Sequence, residues 1–169
     1  MIATLCYLEK DNKYLMLYRN KKEIDINKGK WIGVGGKLEN GETPEQCLVR
    51  EVWEETGYKL NTYKYRGIVI FNYNEDEPLF IYVYTSSDFS GVEKECDEGE
   101  LKWISKDEVL NLELWEGDKI FLKLLFENSP FFYLTLDYEN DNVINSKLEF
   151  KQKYSCFEVF VPENYVEKI

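Results

Sequence analysis

Histidine is absent from all 169 residues. That absence excludes Ser-His-Asp and Cys-His nucleophilic sites, a histidine general base and histidine metal ligands. Proton transfer is left to carboxylates, lysine, tyrosine, cysteine or metal-bound water. Long apolar runs are also missing. Nothing approaches the ~20 residues a membrane-spanning helix needs, and the N-terminal Met1-Ile-Ala-Thr-Leu-Cys-Tyr7 lacks the basic flank of a signal peptide. A cytoplasmic protein with no membrane partner is expected. Cys6, Cys47, Cys96 and Cys156 are scattered and include no C-x-x-C pair, so reduced thiols are expected rather than a disulfide framework or a zinc site. Basic residues are outnumbered, 21 against 32 acidic, giving a net charge of −11. So acidic a chain does not suit the backbone of long DNA or RNA. It still admits a single nucleotide carried in with metal ions. Repeats, low-complexity segments and linkers are missing too, and the length suits one domain with a sizeable core.

What is present is a series of strands interrupted by a few helices. Ile2–Leu8 and Lys13–Tyr18 pair as a predicted hairpin about the Glu9–Asn12 turn. The polar, lysine-rich loop Arg19–Lys30 is either a solvated connection or a mobile rim whose cations meet a triphosphate. Trp31–Gly36 starts as a short strand, and Tyr65–Asn72 and Leu79–Ser86 are two more, rich in aromatic and β-branched residues. Leu101–Ile104 is brief, and Ser105–Glu108 opens a second helix with a capping-box pattern. Asp118–Asn128 is a third helix, with Ile120, Phe121, Leu124 and Leu125 as its core stripe. Phe131–Tyr138 and Val143–Phe150 close the series as a hairpin about Glu139–Asn142. Strands interleaved with helices in this way predict an α/β fold, a mixed sheet with helices on both faces.

The most informative stretch runs from Gly36 to Tyr58. Its second half is one helix with clear ends: Thr43 at the N-cap, Pro44 next, Gln46 completing a capping box, and Gly57 as the left-handed terminator. At about 100° per residue, Leu48, Val49, Val52 and Trp53 fall on one side and Glu51, Glu54 and Glu55 on the other. Carboxylates grouped with no lysine among them repel one another and call for a cation. Their hard oxygens suit Mg²⁺, with Mn²⁺ as a substitute. The preceding glycines, Gly33, Gly35, Gly36 and Gly41, allow close backbone approach, and Lys37 places a positive charge near a polyphosphate.

Taken whole, the stretch resembles the Nudix box, G-x5-E-x7-R-E-U-x-E-E-x-G-U with U bulky and apolar. Gly36, Glu42, Arg50, Glu51, Val52, Glu54, Glu55 and Gly57 stand at the required spacing, with Tyr58 in the last bulky position. The resemblance implies the Nudix fold, an α/β/α sandwich around a mixed β-sheet, over residues 1–150, with 151–169 as an extension packing on the same domain. It implies hydrolysis of phosphoanhydrides with divalent metal. Carried over by position, Glu51 and Glu55 are metal ligands, Glu54 is a ligand or a water-orienting carboxylate, and the Gly35 carbonyl is a further ligand. Arg50 orients a carboxylate, either Glu54 or Glu42. An additional metal-binding or base-acting acid is expected before Leu101-Lys-Trp103, and Glu98 is assigned that place. Lys37 and Arg19 are assigned to the substrate phosphates.

Outside the box the chain resembles the MutT-type branch, the oxidised-purine nucleoside triphosphatases. Trp31-Ile-Gly-Val-Gly-Gly-Lys37, Asp97-Glu-Gly-Glu-Leu-Lys-Trp103 and Leu114-Trp-Glu-Gly-Asp118 carry that likeness. It implies that Trp115 stacks on or walls a purine, that Ile32 lines the same place, and that an ionised Asp118 accepts two hydrogen bonds from a guanine-type edge. Two positions depart from the vertebrate pattern: Ile32 stands where an Asn is found, and Gly117 where a second Asp is found. The implied activity is Mg²⁺-dependent conversion of 8-oxo-dGTP to 8-oxo-dGMP and pyrophosphate by a monomer or homodimer. The alternative is a broader hydrolase of dNTPs, ADP-ribose or dinucleoside polyphosphates, and a remote one is a non-catalytic nucleotide sensor.

Overall fold

A computed structural model describes residues 1–151. Eight strands form one mixed sheet in the order β3-β2-β1-β5-β4-β7-β8, with β6 on the remaining edge of β2. The strands are β1 (Ile2–Lys10), β2 (Lys13–Tyr18), β3 (Trp31–Ile32), β4 (Tyr58–Tyr73), β5 (Leu79–Gly91), β6 (Glu100–Ser105), β7 (Phe132–Glu139) and β8 (Asn142–Phe150). The helices are α1 (Pro44–Thr56), the single turn α2 (Lys106–Val109) and α3 (Asp118–Phe126). β1 runs parallel to β5, and β4 parallel to β7. The other pairings are antiparallel.

Alternation along β1 separates the two faces. Thr4 meets α1, its hydroxyl 3.4 Å from Cys47 Sγ. The neighbouring odd positions point the other way, where the Tyr7 ring lies 6.2 Å from Phe121 of α3. The sheet is thus covered by helix on both sides, as the pattern of elements implied. Tyr7, Tyr14, Leu15, Leu17, Phe121 and Phe132 are fully buried between these layers.

Several boundaries differ from expectation, each for a local reason. The first hairpin turns on two residues, Asp11 (φ 52°) and Asn12 (φ 58°), both in the left-handed region that tight hairpin turns demand. β4 begins at Tyr58, well before Tyr65, because its polar first half is held by pairing with β5 through three register shifts. Periodicity does not reveal a strand made by its partner. The second capping box fails: Ser105 makes no side-chain cap, and α2 ends after one turn. The first capping box forms, with Gln46 N donating to Thr43 Oγ1 at 3.2 Å and Thr43 N donating to Gln46 Oε1 at 2.9 Å. Gly57 (φ 78°) ends α1, its N–H donating to the Trp53 carbonyl. The strand-like run Cys156–Val161 lies outside the described residues.

The apolar stripe of α1 also needs correcting. Leu48 and Val52 are buried, whereas Val49 and Trp53 are 44% and 48% exposed. The buried arc contains Cys47, Leu48, Val52, Glu55 and Thr56. Glu55 therefore faces the sheet and does not share the outer face with Glu54. This rotation places a carboxylate inside the protein.

Candidate active site

The site lies where the loop before α1 crosses the end of β1. Thr4 N donates to the Gly36 carbonyl at 2.9 Å, and Cys6 N to the Val34 carbonyl at 2.7 Å. These bonds press Gly35 and Gly36 against β1 and α1 together. A Cβ on Gly35 (φ 152°) would sit 2.1 Å from the Thr4 carbonyl oxygen, and one on Gly36 would sit 2.4 Å from Glu51 Oε1. Only glycine lets the loop backbone reach the helix carboxylates.

Glu55 is 5% exposed. Its Oε2 accepts from Gly35 N at 2.8 Å. Among the described residues its Oε1 is buried with no hydrogen-bond partner, the nearest cation being Arg19 Nη1 at 3.7 Å. Burial drives the carboxyl up to about 8, against the opposing pull of the Gly35 N–H, and the neighbouring Glu51 adds to the rise. Burial also raises Glu51, which Arg50 opposes. An orphaned carboxylate oxygen beside a second acid is a mismatch that a hard cation corrects.

Arg50 organises the outer acids. It grips Glu42 with two bonds of 2.8 Å, from Nε and from Nη2. Its Nη1 donates to Glu51 Oε1 at 2.8 Å and to Glu54 Oε2 at 3.1 Å. The double hydrogen bond from Arg50 holds the Glu42 carboxyl down at about 2. Both partners expected for Arg50 are present at once, and Glu51 is a third. Glu54 is the most open of these acids, its side chain 49% exposed.

A second arginine ties in the distant acid. Arg19 is buried; its Nε donates to Asp25 Oδ2 at 2.6 Å, and its Nη1 faces both Glu98 Oε2 and Glu55 Oε1. Lys22 Nζ pairs with the other oxygen of Glu98. Glu98 is therefore linked to Glu55 through one guanidinium. Arg19, expected at the substrate phosphates, has its donors on carboxylates here. Lys37 is exposed, and its backbone carbonyl accepts from Arg50 Nη2 at 3.3 Å.

The expected base-reading residues gather at the other end of β3. Trp115 is 5% exposed, edge-on to Phe71, Tyr73 and Tyr138. Its Nε1 donates to Asn27 Oδ1 at 2.8 Å, and Lys30 Nζ lies 4.6 Å over its ring. Asp118 opens α3 and is half-buried; burial pushes its carboxyl up to about 7, with Lys30 opposing. The Tyr7 hydroxyl is buried with no hydrogen-bond partner among the described residues, on a ring that feels the charge of Asp118. Ile32 is buried and pairs with Leu17. At Gly117 a Cβ would meet Leu136 Cδ1 at 2.4 Å and the Tyr138 hydroxyl at 2.8 Å, so a side chain there requires Leu136 and Tyr138 to shift.

Sequence reasoning missed Asp25, Asn27, Lys22 and Tyr7. Asp25 and Asn27 left a trace, an Asp-x-Asn pair in which Asn27 N donates to Asp25 Oδ1, the local turn such residues favour. Tyr7 left none, since it reads as one more apolar strand residue.

Among the described residues no three carboxylate or cysteine side chains converge as a ready metal cage. Arginine guanidinium groups stand against Glu51, Glu55 and Glu98. The donor set is nonetheless all hard oxygen, and the orphaned Glu55 Oε1 marks where a divalent cation fits.

The NUDIX domain family matches residues 1–125, and the chain belongs to that family, as a hydrolase of phosphoanhydride bonds. An oxidized purine nucleoside triphosphate hydrolase of Danio rerio is 28% identical over 129 residues, spanning 76% of this chain and 83% of the relative. The Nudix hydrolase YvcI of Bacillus subtilis is 26% identical over 141 residues, covering 80% and 85%. Among solved structures, the MutT protein of Bacillus halodurans superimposes with a TM-score of 0.79 at 28% identity, over 88% of this chain and 97% of that one.

Proposed function

We propose that the protein is a Mg²⁺-dependent nucleoside triphosphate pyrophosphohydrolase acting on 8-oxo-dGTP, releasing 8-oxo-dGMP and pyrophosphate to cleanse the cytoplasmic nucleotide pool. The observation that carries the chemistry is Glu55: a buried carboxylate with one oxygen on the Gly35 N–H and the other unpaired. Glu51, Glu55, Glu98 and the Gly35 carbonyl would hold the metal, with Glu54 as a ligand or as the group that orients water. When bound, Mg²⁺ screens the phosphate oxygens and activates the attacking water. Mn²⁺ substitutes for it.

The chain's own groups supply the rest. Arg50 fixes the orientation of Glu51 and Glu54 by holding both from one guanidinium nitrogen. Arg19 holds Glu98 toward Glu55 and takes a positioning role in place of the phosphate contact. Lys37 remains the phosphate-facing cation of the loop. Glu54, open to solvent, holds or accepts a proton from water at its Oε atoms.

Trp115, Asp118 and Ile32 form the base end. Trp115 offers a buried wall, and Asp118 presents the acceptor for a purine N1–H and exocyclic amine. With Ile32 apolar and Gly117 bearing no side chain, Asp118 carries that recognition alone. This last feature favours a second reading, a hydrolase of broader nucleotide range. The test is turnover of 8-oxo-dGTP and dGTP side by side with Mg²⁺, with the phosphate product identified. Marked preference for the oxidised base with pyrophosphate released supports the proposal. Equal, slow turnover of both returns Trp115 and Asp118 to structure and favours the broader reading.

A further inference from the structure

A cavity lies away from the carboxylate site and shares no residue with it. It encloses about 270 Å³ between the bulged half of β4, the middle of β5 and the end of α3. Three cations line it, Lys64, Arg66 and Lys106, against one acid, Glu9. In a chain of net charge −11 that local excess runs against the whole. Glu9 is already engaged, its Oε1 2.6 Å from Lys106 Nζ.

Arg66 is the informative residue. It is half-buried, and among the described residues its only side-chain bond is a long one, 3.5 Å from Nη1 to Thr85 Oγ1. Its Nη2 is buried with no hydrogen-bond acceptor among the described residues. An unpaired guanidinium in such a place is costly, and the cost falls when an anion fills the space beside it. The other walls supply neutral donors: the hydroxyls of Thr62, Thr85 and Ser87. A planar fork, an exposed ammonium and several hydroxyls make a set suited to phosphate oxygens. The register shifts of β4 fall at Leu60/Thr62, Thr62/Lys64 and Tyr65/Gly67, the stretch that forms this wall. Alternate positions of a strand share a face, and Thr62, Lys64 and Arg66 line this one hollow.

We propose that this cavity binds a compact phosphate-class oxyanion, independently of the hydrolytic site. Arg66 and Lys64 supply the charge, and the hydroxyls complete the shell.

The test is calorimetric titration of the full-length protein with inorganic phosphate in EDTA, so that no divalent ion draws phosphate to the carboxylates. Acetate is titrated in parallel. One saturable phosphate per chain is expected, with acetate at least tenfold weaker. Arg66→Gln should weaken phosphate at least tenfold, and Lys64→Gln severalfold. Lys64 is exposed, so that variant is expected to fold normally and carries the test if Arg66→Gln does not. Absence of saturable binding overturns the proposal. So does phosphate binding unchanged in Lys64→Gln, or acetate binding as tightly as phosphate.

Discussion

Glu55 concentrates the physics of the site in one side chain. A carboxyl on a helix normally points to water, yet this one is buried, with one oxygen held by a backbone amide and the other unpaired. The protein tolerates the mismatch because α1 is locked by its caps and Gly35 is locked against β1. Such a carboxyl is worth keeping only if its charged form is used. Glu55→Gln preserves shape and the Gly35 bond while removing the charge. A loss of about a thousandfold or more in kcat is expected, since a catalytic metal contributes several kcal/mol of transition-state stabilisation. The melting temperature without metal should not fall, because a buried charge has been removed. Steady-state hydrolysis and thermal melts check both; a variant retaining most of its turnover would remove Glu55 from the catalytic metal site.

At the scale of elements, α1 illustrates what a sequence discloses. Its caps were legible because they are local: Thr43, Pro44, Gln46 and Gly57 act on backbone groups a few residues away. Thr43→Ala should therefore destabilise the protein by about 1 kcal/mol, read from urea denaturation, with the metal-site side chains left in place. The burial of Glu55 was not legible, because the rotation of α1 is set by β1 and the glycine loop packed against it. β4 makes the same point, its polar first half being a strand only through its pairing with β5. The box acids and Arg50 were located by the resemblance of their spacing to the family's box. The coupling of Arg19 to Glu98 and Glu55 could not, since it joins residues 19, 98 and 55 across three elements.

For the molecule as a whole, two opposing effects set the protonation of its acids. Arg50 holds Glu42 in its charged form, while burial favours the neutral form of Glu55 and of Asp118. The second effect makes global stability depend on pH. In the unfolded chain the Asp118 carboxyl titrates near 3.8, and in the folded chain at about 7. Between those values the folded state keeps a proton that the unfolded state has released, so stability falls as pH rises through this window and then levels. Asp118→Asn cannot lose that proton. Relative to the parent protein, the variant should gain about 1–2 kcal/mol on going from pH 4 to pH 8, less than the full shift because the carboxyl retains some contact with water. Glu55 titrates in both proteins and cancels in the difference. Urea denaturation of the pair at the two pH values, in EDTA, provides the measurement. A stability difference that stays constant between pH 4 and pH 8 would mean that Asp118 is charged throughout, already paired by Lys30 before any purine arrives.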